Sequence, residues 1–214
     1  MRAAALALAS ILLAAGARAQ DEPALLAPQL DIVILPREVV AIAGQTGGQL
    51  GERLELGERV LYAKQRGRVG VVVTDRRLLA VTASSGAWQE ARHRNGESPP
   101  ADVELGDRVA LVVTPLRVIG LDGKTGNLVE ARLGPQERAL ATAVGQNVAA
   151  AVTARRALGV SAARGGFFET RLRLGEDVVS IDAQADTVTL RTDARLLVFR
   201  GGTGSWEERR LPLR

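Results

Sequence analysis

A glycine recurs along this sequence at intervals of 39, 40, 39 and 39 residues, and it sets the phase of a repeat that spans most of the chain. A threonine stands twelve residues before four of these glycines, and an arginine stands nine residues before the same four. A second arginine stands six residues after all five. Agreement at several independent positions indicates a repeat architecture rather than chance similarity. The aligned glycines are Gly47, Gly86, Gly126, Gly165 and Gly204.

Each repeat unit has the pattern of four β-strands, which the second unit shows most clearly. Two apolar runs rich in β-branched residues, Val69–Val73 and Leu78–Val81, flank Thr74–Arg77, where threonine and aspartate side chains can bond the backbone of a tight hairpin. A turn with the aligned glycine follows, and glycine permits a positive φ there. Trp88–Arg92 then alternates as a third strand. A fourth strand lies between units, as at Glu58–Tyr62.

Five equal four-stranded units predict an all-β, five-bladed β-propeller with about 39 residues per blade. A β-helix solenoid usually has shorter rungs, and a two-sheet sandwich has no reason to show five equal units. The units fill the stretch from Gln20 to Arg214 as a single domain, with no interval left for a helix or a second domain. The predicted blades span about 20–57, 58–96, 97–136, 137–175 and 176–214.

The ends of the repeat predict how the ring closes. The chain stops just after Trp206–Leu211, so the innermost strand of the first blade must come from about Glu22–Leu26. Pro23 and Pro28 interrupt that stretch, and proline removes a donor from a strand ladder. We therefore expect the ring to close by packing between the first and fifth blades, with no strand shared between the termini.

One segment carries a family resemblance. Leu121–Glu130 resembles the signature of pyrroloquinoline-quinone-type propeller repeats, in which a strand ends in Leu-Asp, a Thr-Gly turn follows and an aromatic residue lies on the next strand. Gly202–Trp206 is similar to the same pattern, and Thr192–Asp193 resembles the hairpin of tryptophan–aspartate repeats. The resemblance implies a quinoprotein-like propeller. It does not imply the quinone, because that family's cofactor site uses vicinal cysteines and this chain has none. We expect no cofactor.

The first nineteen residues have the layout of a secretory signal peptide. Arg2 supplies a positive charge, Ala3–Ala15 an apolar core, and Ala17–Ala19 a small-x-small cleavage site before Gln20. The apolar core is shorter than the about 20 residues that a membrane-spanning helix needs, which favours cleavage over a retained anchor. We expect a secreted or periplasmic protein with no stable membrane insertion after cleavage.

The charge of the chain argues against a nucleic-acid partner. The formal net charge is +4, and it falls to +2 once Arg2 and Arg18 leave with the signal peptide. Acidic residues are interspersed with the arginines, and aromatic residues make up 3% of the chain. A nucleic-acid binder is expected to show a basic stripe with interleaved aromatic residues. The pattern is typical of an ordinarily solvated β-surface.

Several charged and aromatic residues recur around the predicted ring, and each allows two interpretations. The arginines could form a ring of guanidinium groups that binds an anion, or they could pair with glutamates of neighbouring blades and hold the blades together. The tryptophans could stack on sugars, or they could fill the wedge between adjacent sheets. Repetition favours the structural interpretation in both cases. These repeat-structural residues are Arg77, Arg117, Arg156, Arg195, Trp88 and Trp206.

No catalytic or metal-binding residue can be assigned. With one histidine, His93, and no cysteine, a multi-histidine metal site and a Ser-His-Asp triad are excluded. A carboxylate pair for glycoside hydrolysis stays open among the acids that break the repeat. Those acids are Asp102, Glu104, Asp107, Asp182 and Asp186. The binding candidates on the innermost strands are Tyr62, Lys64, Asp182 and Asp186.

The sequence therefore predicts an exported, non-enzymatic binding or scaffold protein that recognises a protein or glycan partner in the cell envelope. Propellers present loops at both ends of a rigid disc, which suits recognition. One alternative is an enzyme that acts on a glycan or a small polar molecule in the central channel. Another is a purely structural module of the envelope. We expect a monomer. We expect recognition to involve the positions at which the repeat is broken.

Overall fold

The computed structural model describes residues 29–210, which form nineteen β-strands and no helix. The strands make five antiparallel sheets that follow one another in chain order. The predicted signal peptide and the expected Glu22–Leu26 strand lie outside the described residues. The first sheet contains β1 (Leu30–Leu35), β2 (Glu38–Ala43) and β3 (Gln49–Arg53). The second contains β4 (Val60–Arg66), β5 (Val69–Thr74), β6 (Arg77–Thr82) and β7 (Gln89–Arg92).

The other three sheets each contain four strands joined in the same up-and-down order. The third contains β8 (Glu104–Leu105), β9 (Val109–Val113), β10 (Arg117–Asp122) and β11 (Leu128–Arg132). The fourth contains β12 (Ala139–Val144), β13 (Val148–Thr153), β14 (Arg156–Ser161) and β15 (Arg164–Arg171). The fifth contains β16 (Val178–Ala183), β17 (Thr187–Thr192), β18 (Arg195–Arg200) and β19 (Ser205–Arg210).

The repeated threonine closes the hairpin between the second and third strands of a sheet. In the second sheet, the hydroxyl oxygen of Thr74 accepts hydrogen bonds from the N–H groups of Arg76 and Arg77, at 3.1 and 2.9 Å. The turn glycines are less uniform than expected. Gly47, Gly126 and Gly204 have a positive φ, whereas the fourth sheet has its positive φ at Gly166, one residue later than the aligned glycine.

The third sheet has a shortened first strand. The consecutive prolines Pro99 and Pro100 precede it, and proline cannot donate to a strand ladder. The strand begins only at Glu104 and pairs with two residues of β9. A groove is left beside β9, where the second, fourth and fifth sheets have a first strand of six or seven residues.

The sheets stack face to face, and the core lies between them. In the second, third and fourth sheets both faces of the central strands are buried, as in β5, β10 and β13. Small residues allow this close stacking. The ring of Phe199 lies over Gly159, and a Cβ atom at Gly159 would be 2.9 Å from that ring. At the position equivalent to Gly159, the first four sheets have alanine or glycine and the fifth has valine: Ala41, Ala80, Gly120, Gly159 and Val198.

The first and fifth sheets each have one uncovered face. Burial alternates along their central strands β2, β17 and β18, so that one side packs on the neighbouring sheet and the other does not. Val33 and Leu35 of the first sheet are 36% and 42% exposed. Five sheets stacked in chain order fit the blades of a five-bladed propeller, with these two faces uncovered among residues 29–210.

Candidate functional site

The repeated arginine lies at the centre of a buried polar network, for which the third sheet is the clearest example. The Arg117 side chain is 3% exposed and forms a bidentate pair with Glu97, with distances of 3.0 Å from Nε and 2.8 Å from NH2. It also donates to Glu130 at 2.6 Å and to the backbone carbonyl of Arg92 at 2.6 Å. The hydroxyl of Thr114 donates to Glu97 at 2.5 Å. Because Arg92 ends the preceding sheet, the guanidinium links two sheets.

The network recurs in four of the five sheets. The expectation was that each arginine pairs with a glutamate of the next blade. Instead, the glutamates belong to the arginine's own sheet or to the segment that leads into it, and the preceding sheet supplies the carbonyl. Arg77 alone has an ion pair with a glutamate of the preceding sheet, Glu52. The equivalent pairs are Arg77 with Glu58, Arg156 with Glu137, and Arg195 with Glu176.

The first sheet is built without this network. Leu35 replaces the threonine and Glu38 replaces the arginine. Gly51 stands where the other sheets have the glutamate of the last strand, and the Glu38 carboxylate fills the space above it. A Cβ atom at Gly51 would lie 2.0 Å from Oε1 of Glu38. The first sheet therefore has no guanidinium with which to bond a preceding sheet.

Two of the buried glutamates have strongly lowered pKa values. Burial acts to raise the pKa of Glu137, but hydrogen bonds from Arg156, the Gly134 N–H and Thr153 outweigh it and hold the pKa at about 2. The same balance, with Arg195 as the main donor, holds the pKa of Glu176 at about 2. Both carboxylates are therefore charged in the folded protein at all but strongly acidic pH.

These pKa values predict that the protein loses stability in acid. A carboxyl group whose pKa is lowered by folding contributes stability above its unfolded value of about 4.5, and loses that contribution as the pH falls towards about 2. Each group should contribute on the order of 3 kcal/mol at neutral pH. We expect the urea midpoint to fall steeply between pH 4.5 and 2. The variant E137Q should be less stable at pH 7 and show a shallower fall, and an unchanged slope would contradict this assignment.

The two repeated tryptophans lie between neighbouring sheets. The indole N–H of Trp88 donates to the Leu50 carbonyl at 2.9 Å, and that of Trp206 donates to the Phe168 carbonyl at 2.9 Å. Each acceptor belongs to the preceding sheet. Both side chains are half-buried and pack against core clusters at those boundaries. These contacts fit the interpretation in which the tryptophans fill the wedge between adjacent sheets.

Tyr62 and Lys64, two of the predicted binding residues, contact the segment that precedes β8. The Tyr62 hydroxyl donates to the Pro100 carbonyl at 2.8 Å, and burial together with the nearby Asp102 carboxylate raises its pKa to about 12. Lys64 forms an ion pair with Asp102. The groove beside β9 has a volume of about 310 Å³. Its two carboxylates have separate partners within the protein, Asp102 bonding Lys64 and Glu104 bonding Thr142.

Asp182 and Asp186, the other two predicted residues, lie apart from that groove. Asp182 is exposed on β16 and has no side-chain partner among the described residues. Asp186 lies in the turn between β16 and β17, where it accepts a hydrogen bond from the Asn147 side chain at 2.8 Å. The four candidates therefore divide between two places, and Asp186 belongs to a second pocket.

This second pocket, called the basic pocket below, lies at the end of the sheets that carries the turns between first and second strands and between third and fourth strands. Its volume is about 510 Å³. Sheets two to five all contribute to it. Its lining consists of polar, charged and small residues: Arg68, Ser84, Arg108, Gly123, Lys124, Asn147, Ala162, Ala163 and Asp186.

A row of backbone hydrogen bonds, called the belt below, positions the pocket. In the first four sheets, the residue just before the second strand donates its N–H to the turn of the next sheet, as from Arg68 to Asp107 at 2.7 Å and from Arg108 to Gln146 at 2.9 Å. In all five sheets the carbonyl of this residue accepts from a later turn of its own sheet, as from Gly123 to Arg108 at 2.8 Å. The side chains at this position differ: Gln29, Arg68, Arg108, Asn147 and Asp186.

The pocket has an excess of positive charge. Arg68, Arg108 and Lys124 have no ion pair within 4.0 Å in the part of the chain that the structure describes, while Asp186 is the one acid of the lining. The Nε atom of Arg68 is buried and, alone among the described side-chain nitrogens and oxygens that are buried, has no hydrogen-bond partner. The Arg68 residue as a whole is half-buried and lines the pocket.

Sequence reasoning missed Arg68, Arg108, Lys124 and Asn147, although a signal existed. The position eighteen residues before each aligned glycine is polar in every unit and differs between most of them. Within a regular repeat, a position that keeps its backbone role and changes its side chain is where recognition is expected. A ring nitrogen of His93, the one histidine of the chain, lies 3.0 Å from the Thr74 carbonyl oxygen. Residues 29–210 hold no cluster of acids and histidines that could bind a metal.

Residues 29–210 contain no helix of the length and apolarity needed to cross a membrane.

The chain matches no protein-family model and no curated protein. Among solved structures it is similar to human WBSCR16, with 13% identity over 80% of this chain and 61% of that chain, at a TM-score of 0.40. It is similar to BamB from Moraxella catarrhalis, with 11% identity over 86% and 74% of the two chains, at a TM-score of 0.36. PorZ from Porphyromonas gingivalis gives 12% identity, 90% and 27% coverage, and a TM-score of 0.40. These identities and TM-scores are too low to support an argument about function. The chain spans about three-fifths of the length of WBSCR16.

Proposed function

We propose that this protein is an exported, non-enzymatic binding or scaffold protein, and that it recognises a protein or glycan partner in the cell envelope at the end of the sheets that holds the basic pocket. The observation that carries the proposal is the belt. Its backbone hydrogen bonds repeat from sheet to sheet, while the side chains it presents do not. A rigid frame with varied side chains at one end suits recognition.

The repeated arginines support the assignment of ligand binding to the varied residues. The guanidinium of Arg117 uses four of its five N–H donors within the protein, and its side chain is buried, so it is not open to a ligand. The other three repeated arginines have equivalent partners. By contrast, Arg108 and Lys124 are exposed and have no ion pair among the described residues. Ligand contacts therefore fall to the varied residues.

We further propose that the five sheets are the blades of a five-bladed propeller, closed when the uncovered face of the first sheet meets that of the fifth. Differences between this boundary and the internal ones support closure. Ala150 and Val188 share a cluster between the fourth and fifth sheets, and their equivalents at the closing boundary are polar, Thr189 and Asp31. Gly159 lies under Phe199, and the equivalents are of intermediate size, Val198 and Ile42. At both pairs of positions, a residue on one uncovered face that differs from its internal equivalents is accompanied by a differing residue on the other uncovered face.

If the ring is closed, two cysteines introduced on the uncovered faces of the first and fifth sheets should form a disulfide. The chain has no cysteine, so the double variant I42C/V198C introduces one possible pair. Under mild oxidation we expect an intramolecular crosslink, seen as a faster-migrating monomer on a non-reducing gel. Each single variant is the control. A crosslinked dimer would show instead that copies stack face to face, and the absence of any crosslink would also contradict closure, because a disulfide needs Cα atoms within about 7 Å.

Export and binding are tested together. The full chain produced in a bacterial host should yield a mature protein that begins at Gln20 in the periplasm or medium. The mature protein, once immobilised, should capture a component from a native envelope extract, and R108Q/K124Q should capture less of it than R138Q/R155Q. The second pair removes the same charge from exposed arginines at the opposite end of the sheets. Equal capture by both pairs would place recognition elsewhere, and no capture would refute the binding role.

A further inference from the structure

We propose that the basic pocket binds an acidic glycan: a sugar that carries a carboxylate, sulfate or phosphate group next to free hydroxyls. The inference rests on the proposed binding function and names the ligand class for the same site. It follows from three properties of the pocket: its unpaired cations, its neutral and acidic hydrogen-bonding groups, and the small size of its other lining residues.

The cations account for the anionic group. Arg68, Arg108 and Lys124 come from two different sheets and line one pocket, and only Asp186 opposes them. Guanidinium groups match the paired oxygens of a carboxylate, sulfate or phosphate, and Lys adds a point charge. Arg68 has no ion pair among residues 29–210, so its charge is not already neutralised by a carboxylate of the protein. The arrangement has the composition of an anion site.

The other polar groups account for the sugar. Asp186 accepts a hydrogen bond from Asn147 at 2.8 Å through one oxygen, which leaves its second oxygen to accept from a hydroxyl. The Asn147 amide oxygen and the Ser84 hydroxyl also line the pocket and can bond hydroxyls. An anion alone gains nothing from a carboxylate in its site. A ligand that has both negative charge and hydroxyl donors uses the whole set.

The small residues distinguish a glycan from a peptide. Gly123, Ala162 and Ala163 line the pocket, and no large apolar or aromatic side chain does. Peptide and protein interfaces usually depend on an apolar or aromatic anchor held in a desolvated pocket. Gly123 cannot become larger, because a Cβ atom there would lie 2.1 Å from the Arg108 carbonyl oxygen. The volume of about 510 Å³ is within the range of small-ligand sites.

The test is calorimetric titration of the mature protein with four probes of similar length. The probes are an oligogalacturonate, a heparin-derived oligosaccharide, a neutral oligosaccharide and a poly-glutamate peptide. We expect binding of at least one acidic oligosaccharide and none of the neutral one or the peptide. A heparin fragment carries carboxylates as well as sulfates. Binding of the oligogalacturonate would therefore show that a carboxylate is sufficient, and binding of the heparin fragment alone would show that sulfate is needed. The exposed-residue variant R108Q/K124Q should weaken binding at least tenfold, because each lost charge-assisted hydrogen bond has about that effect.

The matched variant R138Q/R155Q keeps the same net charge as R108Q/K124Q and should bind as the unmodified protein does. Equal weakening by both variants, binding of the peptide as strong as that of the glycans, or no binding of either acidic glycan would overturn the inference. These failures differ from failure of the proposed function. An envelope component could still be captured by the immobilised protein without glycan binding, whereas the absence of any captured component would refute the binding role itself.

Discussion

Replacing Arg117 with methionine should lower the free energy of unfolding by about 3–5 kcal/mol, the usual cost of removing one partner from a buried ion pair. The Glu97 side chain is fully buried and would lose both hydrogen bonds from the guanidinium. The Arg92 carbonyl would lose its donor from the next sheet. Equilibrium urea unfolding followed by tryptophan fluorescence measures the loss.

Two further variants separate the buried charge from other effects of the substitution. R138M changes an exposed arginine in the same way and should alter stability by less than about 0.5 kcal/mol. The double variant E97L/R117M removes both charges and should recover part of the loss, because a buried ion pair and an apolar pair of similar volume are often equally stable. A loss below about 1 kcal/mol for R117M would show that the network is not a main source of stability. A double variant less stable than R117M would show that the loss does not come from an unpaired buried charge on Glu97.

Replacing Gly145 with alanine should destabilise the protein by about 3 kcal/mol, at the upper end for overpacking. The new Cβ atom would lie 1.7 Å from the carbonyl oxygen of Gln184 and 2.8 Å from its carbon. Both are backbone atoms in the turn of the next sheet, and that turn is held by the hydrogen bond from Asn147 to Ala185 at 2.8 Å. The strain cannot be relieved by a side-chain rotation, so the belt must shift.

Gly165 provides the matched control, because a Cβ atom at Gly165 would have no neighbour within 4 Å. Its φ is not positive. G165A should therefore be neutral or stabilise the protein by up to about 1 kcal/mol, since alanine restricts the unfolded chain. Thermal unfolding of both variants measures the difference. Equal melting temperatures would mean that the sheets are not in close contact at their turns.

The strands could be predicted from the sequence because the repeat reports local structure. The predicted runs Val69–Val73 and Leu78–Val81 correspond to β5, Val69–Thr74, and β6, Arg77–Thr82. The periodic threonine marks a hairpin because its hydroxyl bonds the turn backbone. Agreement among five units corrects the errors that any single unit would produce.

The pocket could not be predicted in the same way, because it depends on contacts between sheets. A repeat shows which residues are equivalent but not which equivalent residues face one space. Arg68 and Arg108 meet at one pocket because their backbone N–H groups bond the turn of the adjacent sheet, and those bonds leave no trace in side-chain identity. The candidates chosen from the innermost strands, Tyr62 and Lys64, were placed by strand order alone, and they contact Pro100 and Asp102 instead.

The belt has a consequence for how such a protein can diverge. At Gln29, Arg68, Arg108 and Asn147 the main chain supplies the link to the neighbouring sheet, so a substitution there changes the surface and leaves the backbone link in place. These four positions already hold three residue types. Mutations at them can therefore accumulate with little loss of stability, and the chain can acquire a new specificity by point mutation, one sheet at a time.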